Sequence, residues 1–205
     1  EEAAVLWERI LTGGREFGLR PYGVAAMQSL RIEKAFPLAG PDIDGEQSPF
    51  EVGLHRWIRF DKRDFIGRNA LLRRQDMGLQ ERWVGIVLDS DIPANHGDPI
   101  YTVADIASYR QRMFSGSEAG EQVDAEIPGT QVGRVTSSAK GHSVGKILAL
   151  GYVSATHSWH GARMIIIVGG RPVVATVTPT PFFDPLGSRL RATNTRRLTD
   201  VDSGG

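Results

Sequence analysis

Beyond Met77-Gly78 the chain changes from mixed helix and strand patterning to an almost unbroken series of short strands, and this constrains its fold more than any other feature. The strand candidates cover residues 83–88, 100–103, 132–137, 147–153, 164–168 and 173–178. The last two flank Gly169-Gly170; both glycines can take positive φ, and two apolar β-branched runs joined this way read as a hairpin. Six short strands with turns between them call for a small barrel or a sandwich. Residues 107–129, rich in Ser, Gly, Glu and Gln, interrupt the series and read as an exposed excursion.

Residues 1–78 read differently. Across residues 3–18, Leu6, Ile10 and Phe17 recur near helical spacing, Val5, Trp7 and Leu11 widen the stripe, and Gly13-Gly14 weakens its end. Pro21-Tyr22-Gly23 marks a turn, residues 24–28 allow one or two helical turns, and residues 30–33 read as a strand. Residues 37–45 hold too many breakers for a regular element and form a loop. Ser48-Pro49-Phe50-Glu51 reads as a helix start, with Ser48 as N-cap and Glu51 closing a capping box, and Gly53 keeps that helix short. Residues 57–60 look like a strand, and Asp64 can cap a third helix through Ile66, Leu71 and Leu72 that ends on Arg73 and Arg74. The division that follows is 1–78, 79–187 and a polar tail over 188–205.

Composition narrows the function classes. With 24 basic and 24 acidic residues among 205, no net field gathers nucleic acid or an anionic membrane. No apolar run approaches the roughly 20 residues of a membrane span, and Glu1-Glu2 is unlike a signal peptide. The absence of cysteine removes thiolate metal sites and cysteine nucleophiles, and is compatible with the cytoplasm. His157 and His160 form the one close histidine pair, but in a loop context without a completing ligand, so no metal is expected. Neither a Gly-x-Ser-x-Gly elbow, a dinucleotide fingerprint nor a Walker loop occurs. A chain that opens directly into a helical pattern without an initiator methionine suggests part of something longer, or a processed chain.

Glu33 is the candidate site residue. In a strand it alternates with side chains facing the other way and presents a carboxylate to a pocket. Such a group can accept two parallel hydrogen bonds from a flat heterocycle with adjacent N–H donors; the competing reading is a surface pair with Arg or Lys.

Seven segments taken in order resemble the glycine cleavage T-protein family. They are Ser29-Leu30-Arg31-Ile32-Glu33, Gly40-x-Asp42-Ile43, Ser48-Pro49-x-Glu51-x-Gly53-Leu54, Lys62-x-Asp64-Phe65-Ile66-Gly67-Arg68, Val84-Gly85-Ile86, Gly133-x-Val135-Thr136-Ser137 and Pro181-Phe182-Phe183-Asp184-Pro185. With the opening helix they span roughly residues 3–186. The family includes the aminomethyltransferase, the folate domains of sarcosine and dimethylglycine dehydrogenases, and tetrahydrofolate-dependent demethylases. The Arg20-Pro21-Tyr22-Gly23-Val24 start, with Met27 and Ser29, looks closer to the demethylase and dehydrogenase branches.

The resemblance implies an α+β fold: the end of a folate-binding α+β region followed by a small antiparallel β-barrel. It implies tetrahydrofolate-dependent one-carbon transfer, with Glu33 at the pterin-binding glutamate. Arg82 matches a basic residue near the cofactor, and Lys62 falls in a functional basic cluster that contacts folate or a substrate carboxylate. For Lys62 and Arg82 a solvated surface charge is the alternative. Ala39 stands where a tyrosine often lies beside the pterin, and Glu51 is read as a helix cap rather than a second catalytic acid. The family's catalytic aspartate lies upstream of Glu1, so no catalytic residue is assigned. The implied partners are a small-molecule one-carbon donor, the missing amino-terminal half of the same protein, and a carrier protein or fused dehydrogenase. The rival reading is a non-catalytic folate-binding or regulatory module of the same fold.

Overall fold

The computed structural model describes residues 2–102, 129–189 and 191. Six antiparallel strands close into a barrel: β1 (Glu81–Leu88), β2 (Pro99–Tyr101), β3 (Gln131–Gly141), β4 (Lys146–Ser154), β5 (Arg163–Val168) and β6 (Arg171–Thr178). Their order around the barrel is β1-β4-β3-β2-β5-β6, and β6 returns to β1. All six expected strands are present. At the expected hairpin Val168 faces Arg171, and Gly169 and Gly170 have φ of 56° and 79°.

Strand β4 shows why a barrel needs a second layer here. Its alternate residues Ile147, Ala149 and Val153 face the interior, packed with Ile86, Ile100, Val135, Met164, Ile166 and Val177. The intervening Leu148 and Leu150 are equally buried, because Ile32 covers them from outside together with Trp83, Val87 and Phe182. A strand that would otherwise read apolar-in, polar-out is therefore apolar on both faces. Closure also demands close backbone approach: a Cβ on Gly151 would stand 2.5 Å from the Arg134 carbonyl oxygen.

The covering element is a helix. Residues 24–33 form α2 (Val24–Glu33), one continuous helix preceded by α1 (Glu2–Gly14) and a 3-10 turn at Arg15–Phe17. The strand expected over residues 30–33 is thus corrected. The buried positions Ser29, Ile32 and Glu33 recur at i, i+3 and i+4, while Leu30 is 57% exposed. The apolar Leu30/Ile32 alternation resembled a strand only because Leu30 lies on the helix's open face.

Three other expectations differ. After Ser48 the chain makes turns rather than a helix, ended by Gly53 at φ 75°. Residues 57–60 are not a strand; a 3-10 turn over His55–Trp57 precedes irregular chain, and Trp57 is exposed. The third helix, α3 (Arg68–Asp76), starts after Gly67 at φ 92°, so Asp64 does not cap it and Ile66 lies in solvent. The excursion expected at 107–129 lies outside the described residues except for Gly129, as does the tail beyond residue 191.

Leu150→Ala removes a side chain buried between α2 and the barrel and is expected to cost about 2–5 kcal/mol, whereas Leu30→Ala on the open face is expected to stay within about 0.5 kcal/mol. Urea denaturation of the two variants measures both.

Candidate functional site: three buried carboxylates

Strand β3 carries a bulge. Val135 pairs with Gly151 but Ser137 with Leu150, so Thr136 is an extra residue. Consecutive side chains of a regular strand point to opposite faces, and the bulge allows the neighbouring hydroxyls of Thr136 and Ser137 to reach the same acceptor. That acceptor is Asp42, in the breaker-rich loop. Its Oδ1 accepts from Thr136 Oγ1 (2.5 Å) and Ser137 Oγ (2.8 Å). Its Oδ2 accepts from Arg31 Nη1 (2.5 Å) and the Leu38 N–H (2.9 Å).

Arg31, one residue before Ile32 on α2, also donates from Nη2 to Ser137 Oγ (2.7 Å), from Nη1 to the Phe36 carbonyl (3.3 Å) and from Nε to Gln28 Oε1 (2.5 Å). From β4, Tyr152 OH donates to the Asp42 carbonyl (2.7 Å), and Trp83 Nε1 on β1 donates to Thr136 Oγ1 (3.2 Å). Burial, with Glu81 nearby, pushes the Tyr152 phenol well above its ordinary pKa, keeping it a neutral donor.

Glu51 is the second buried carboxylate. Its Oε2 accepts from the Ser48 N–H (2.8 Å) and the Ser48 hydroxyl, and its Oε1 pairs with Arg74 of α3 (2.9 Å). The expected reach-back onto Ser48 is therefore made, although no helix follows. The Trp83 N–H donates to the Glu51 carbonyl (2.9 Å), joining this loop to β1. Burial alone would push the Glu51 carboxyl up, but the Ser48 donors and Arg74 outweigh it and hold it below its ordinary value.

Glu33 is the third, and it differs from the other two. Only 2% exposed, it accepts at Oε1 from the Ser143 N–H (2.7 Å) in the β3–β4 turn; among the described residues nothing donates to its Oε2. The 181–185 segment straps the same helix end. The Phe183 N–H donates to the Glu33 carbonyl (3.1 Å), and Lys34 Nζ donates to the Asp184 carbonyl (2.8 Å) and pairs with its carboxylate (3.3 Å). A buried carboxylate with an unused oxygen is costly unless something else donates to it.

The other two predicted positions are elsewhere. Lys62 is exposed, with Nζ 4.5 Å from the centre of the Phe65 ring. Arg82, the second residue of β1, is exposed at the barrel's end, in the register of Val84, Ile86 and Leu88. No contact among the described residues joins Glu33, Lys62 and Arg82. An open cleft of about 460 Å³ lies along the barrel edge, lined by Asp91, Lys146, Arg163 and Thr176 among others and not by Glu33. His157 is bonded to its own turn, with Nδ1 2.8 Å from Ser154 Oγ.

Reading of the sequence alone passed over Arg31, Asp42 and the Thr136-Ser137 pair as polar partners. The run of three hydroxyl residues, Thr136-Ser137-Ser138, within one strand was the available signal for them. Ser143 acts through its N–H, which no side-chain pattern reveals.

The structure is a closed six-stranded antiparallel barrel that carries α2 on its outer face. Residues 1–62 match the GCVT N-terminal domain family, and residues 82–184 match the glycine cleavage T-protein C-terminal barrel domain family. The chain belongs to the glycine cleavage T-protein family. It is 34% identical over 185 residues to the aminomethyltransferase of Symbiobacterium thermophilum, covering 89% of this chain and 42% of that protein. It is 35% identical over 178 residues to that of Thermosynechococcus vestitus, covering 87% and 41%. The crystal structure of aminomethyltransferase T of the Bartonella henselae glycine cleavage system shares the fold, with a TM-score of 0.69 at 24% identity, over 89% of this chain and 44% of that one. The chain thus spans less than half the length of the relatives it matches.

Asp42→Ala strands the Arg31 guanidinium, whose side chain is 9% exposed, and is expected to destabilise the protein by about 3–5 kcal/mol in chemical denaturation. For Glu51 the folded pKa lies below the ordinary 4.5, so its contribution to stability is fully present above that value and is lost as pH falls through the folded pKa. Glu51→Gln is expected to flatten the acid limb of the melting temperature against pH below about pH 4.5, which calorimetry at stepped pH checks.

Proposed function

We propose that this chain forms the later part of a tetrahydrofolate-dependent aminomethyltransferase, and that Glu33 anchors the pterin ring. The observation that carries the reading is the contrast among the three buried carboxylates: among the described residues, Asp42 and Glu51 have donors on both oxygens, whereas Glu33 has one on Oε1 only. Adjacent ring and exocyclic N–H groups of a pterin supply the missing donors, and the charge on Glu33 strengthens such bonds. Bound tetrahydrofolate would supply N5 as the nucleophile that accepts the one-carbon unit.

The role of Glu33 in this scheme is to bind and orient. Ser143 fixes one oxygen, so the carboxylate presents the other in a set direction. Lys62 and Arg82, both exposed, are proposed as contacts to the folate tail or a substrate carboxylate. The aminomethyltransferases among the relatives favour a one-carbon unit carried on nitrogen as the donor. The cytoplasm is the proposed compartment, supported by a cysteine-free sequence.

Helix α1 has no buried residue, and Leu6, Trp7 and Ile10 are exposed on it. A helix of 13 residues gains most of its stability from packing an apolar face, so this face suits the portion of the family's amino-terminal region that the matched relatives carry beyond the aligned share. The proton-handling residue belongs to that portion in this reading. Residues 1–205 alone are accordingly expected to bind folate weakly and to transfer no one-carbon unit.

Isothermal titration of the full-length polypeptide with tetrahydrofolate tests the proposal. Glu33→Ala is expected to weaken binding by about 10-fold or more, the loss of a charged hydrogen-bond acceptor. Unchanged affinity in that variant would remove Glu33 from the pterin site.

A further inference from the structure

We propose that the open cleft at the barrel's edge is a binding site for a small zwitterion, an aliphatic α-amino acid, and that it stands independently of the folate reading above. The strand register builds it. On β1, β4, β5 and β6 the interior is filled by Ile86, Leu88, Ile147, Met164, Ala175 and Val177, so the alternate positions Val87, Lys146, Arg163, Val174 and Thr176 face outward. Val87 stands opposite Thr176, and Thr176 opposite Arg163, which sets an aliphatic group, a hydroxyl and a guanidinium side by side across three strands. Lys146 precedes Ile147, the partner of Leu88, and lines the cleft from β4. The acidic side comes from the turn after β1. There Ser90 Oγ donates to the Ile92 carbonyl (3.1 Å) and accepts from the Ile92 N–H (3.0 Å), fixing the backbone that carries Asp91 into the lining.

Charges of both signs line this one concavity of about 460 Å³ without neutralising one another. Among the described residues Lys146, Arg163 and Asp91 form no ion pair, whereas Arg31, Lys34, Arg74 and Arg134 each have a carboxylate partner. A purely anionic ligand would meet Asp89 and Asp91, and a purely cationic one Lys146 and Arg163. A molecule with both charges on neighbouring atoms finds a partner for each. Its carboxylate fits the Arg163 guanidinium, which can donate two parallel N–H bonds, with the Thr176 hydroxyl beside it as a further donor. Its ammonium group fits Asp91. Val87 and Val174, both half-buried, give a short aliphatic side chain an apolar floor. Ion pairs made in a site open to water are weak, so the expected dissociation constant is on the order of 1–10 mM.

The test follows the methyl resonances of Val87 and Val174 by carbon-13 NMR in the full-length polypeptide at constant ionic strength. The probes are L-valine and its two half-ligands, isovalerate without the ammonium group and isobutylammonium without the carboxylate, each added to about 50 mM. L-Valine is expected to shift both resonances along a saturating curve, with either half-ligand at least about tenfold weaker. Arg163→Gln and Asp91→Asn, both at exposed positions, are each expected to weaken L-valine binding by about fivefold or more. Shifts that stay linear in L-valine, half-ligands that saturate as readily as L-valine, or parental affinity in both variants would each overturn the proposal.

Discussion

The ion pair between Arg31 and Asp42 is the constraint on which the rest of the structure depends. With side chains 9% and 0% exposed, the two charges are removed from water, and such a pair is tolerable only when the remaining donors and acceptors are satisfied. Satisfying them brings together three separate stretches: the end of α2, the loop at residues 37–45, and the bulge in β3. Tyr152 and Trp83 extend the network to β4 and β1. The polar network thus does between α2 and the barrel what the apolar Ile32–Leu148–Leu150 contact cannot do alone, which is to specify one orientation.

The barrel itself was legible in the sequence because its determinants are local. Runs such as Met164-Ile165-Ile166-Ile167-Val168 have one reasonable conformation, and Gly169-Gly170 supplies the turn that joins the next run. Helix α2 was not legible as a helix through Glu33. Its apolar content is modest, its buried positions include Ser29, Arg31 and Glu33, and these look polar until their partners on β3, in the β3–β4 turn and in the 37–45 loop are known. The strand expected at 57–60 and the helix expected after Ser48 failed for a related reason. Both were inferred from local pattern, and after Ser48 the contacts of Glu51 with Arg74 and the Trp83 N–H impose an irregular path.

The candidate site divides along the same line. Glu33 stands out in the sequence as an acid among apolar Leu30 and Ile32 and basic Arg31 and Lys34, and the structure shows it deeply buried. The reason for picking it, alternation along a strand, was not the reason it is buried. Helical spacing places it against the barrel, and a backbone N–H from a turn 110 residues away meets it there. Asp42 was hidden in a segment whose glycines and prolines announced a loop and nothing about its burial. Polar partners that meet only in three dimensions leave little trace in a single chain's pattern.

Carbon-13 labelling of glutamate side chains gives the most direct test of the central claim, that the buried Glu33 carboxylate keeps one oxygen for a pterin. In the full-length polypeptide the Glu33 carboxyl resonance, assigned by its absence from Glu33→Gln, is predicted to shift on addition of tetrahydrofolate and to saturate with the binding isotherm, while the Glu51 resonance stays in place. Saturable folate binding that leaves the Glu33 resonance unmoved would contradict the account.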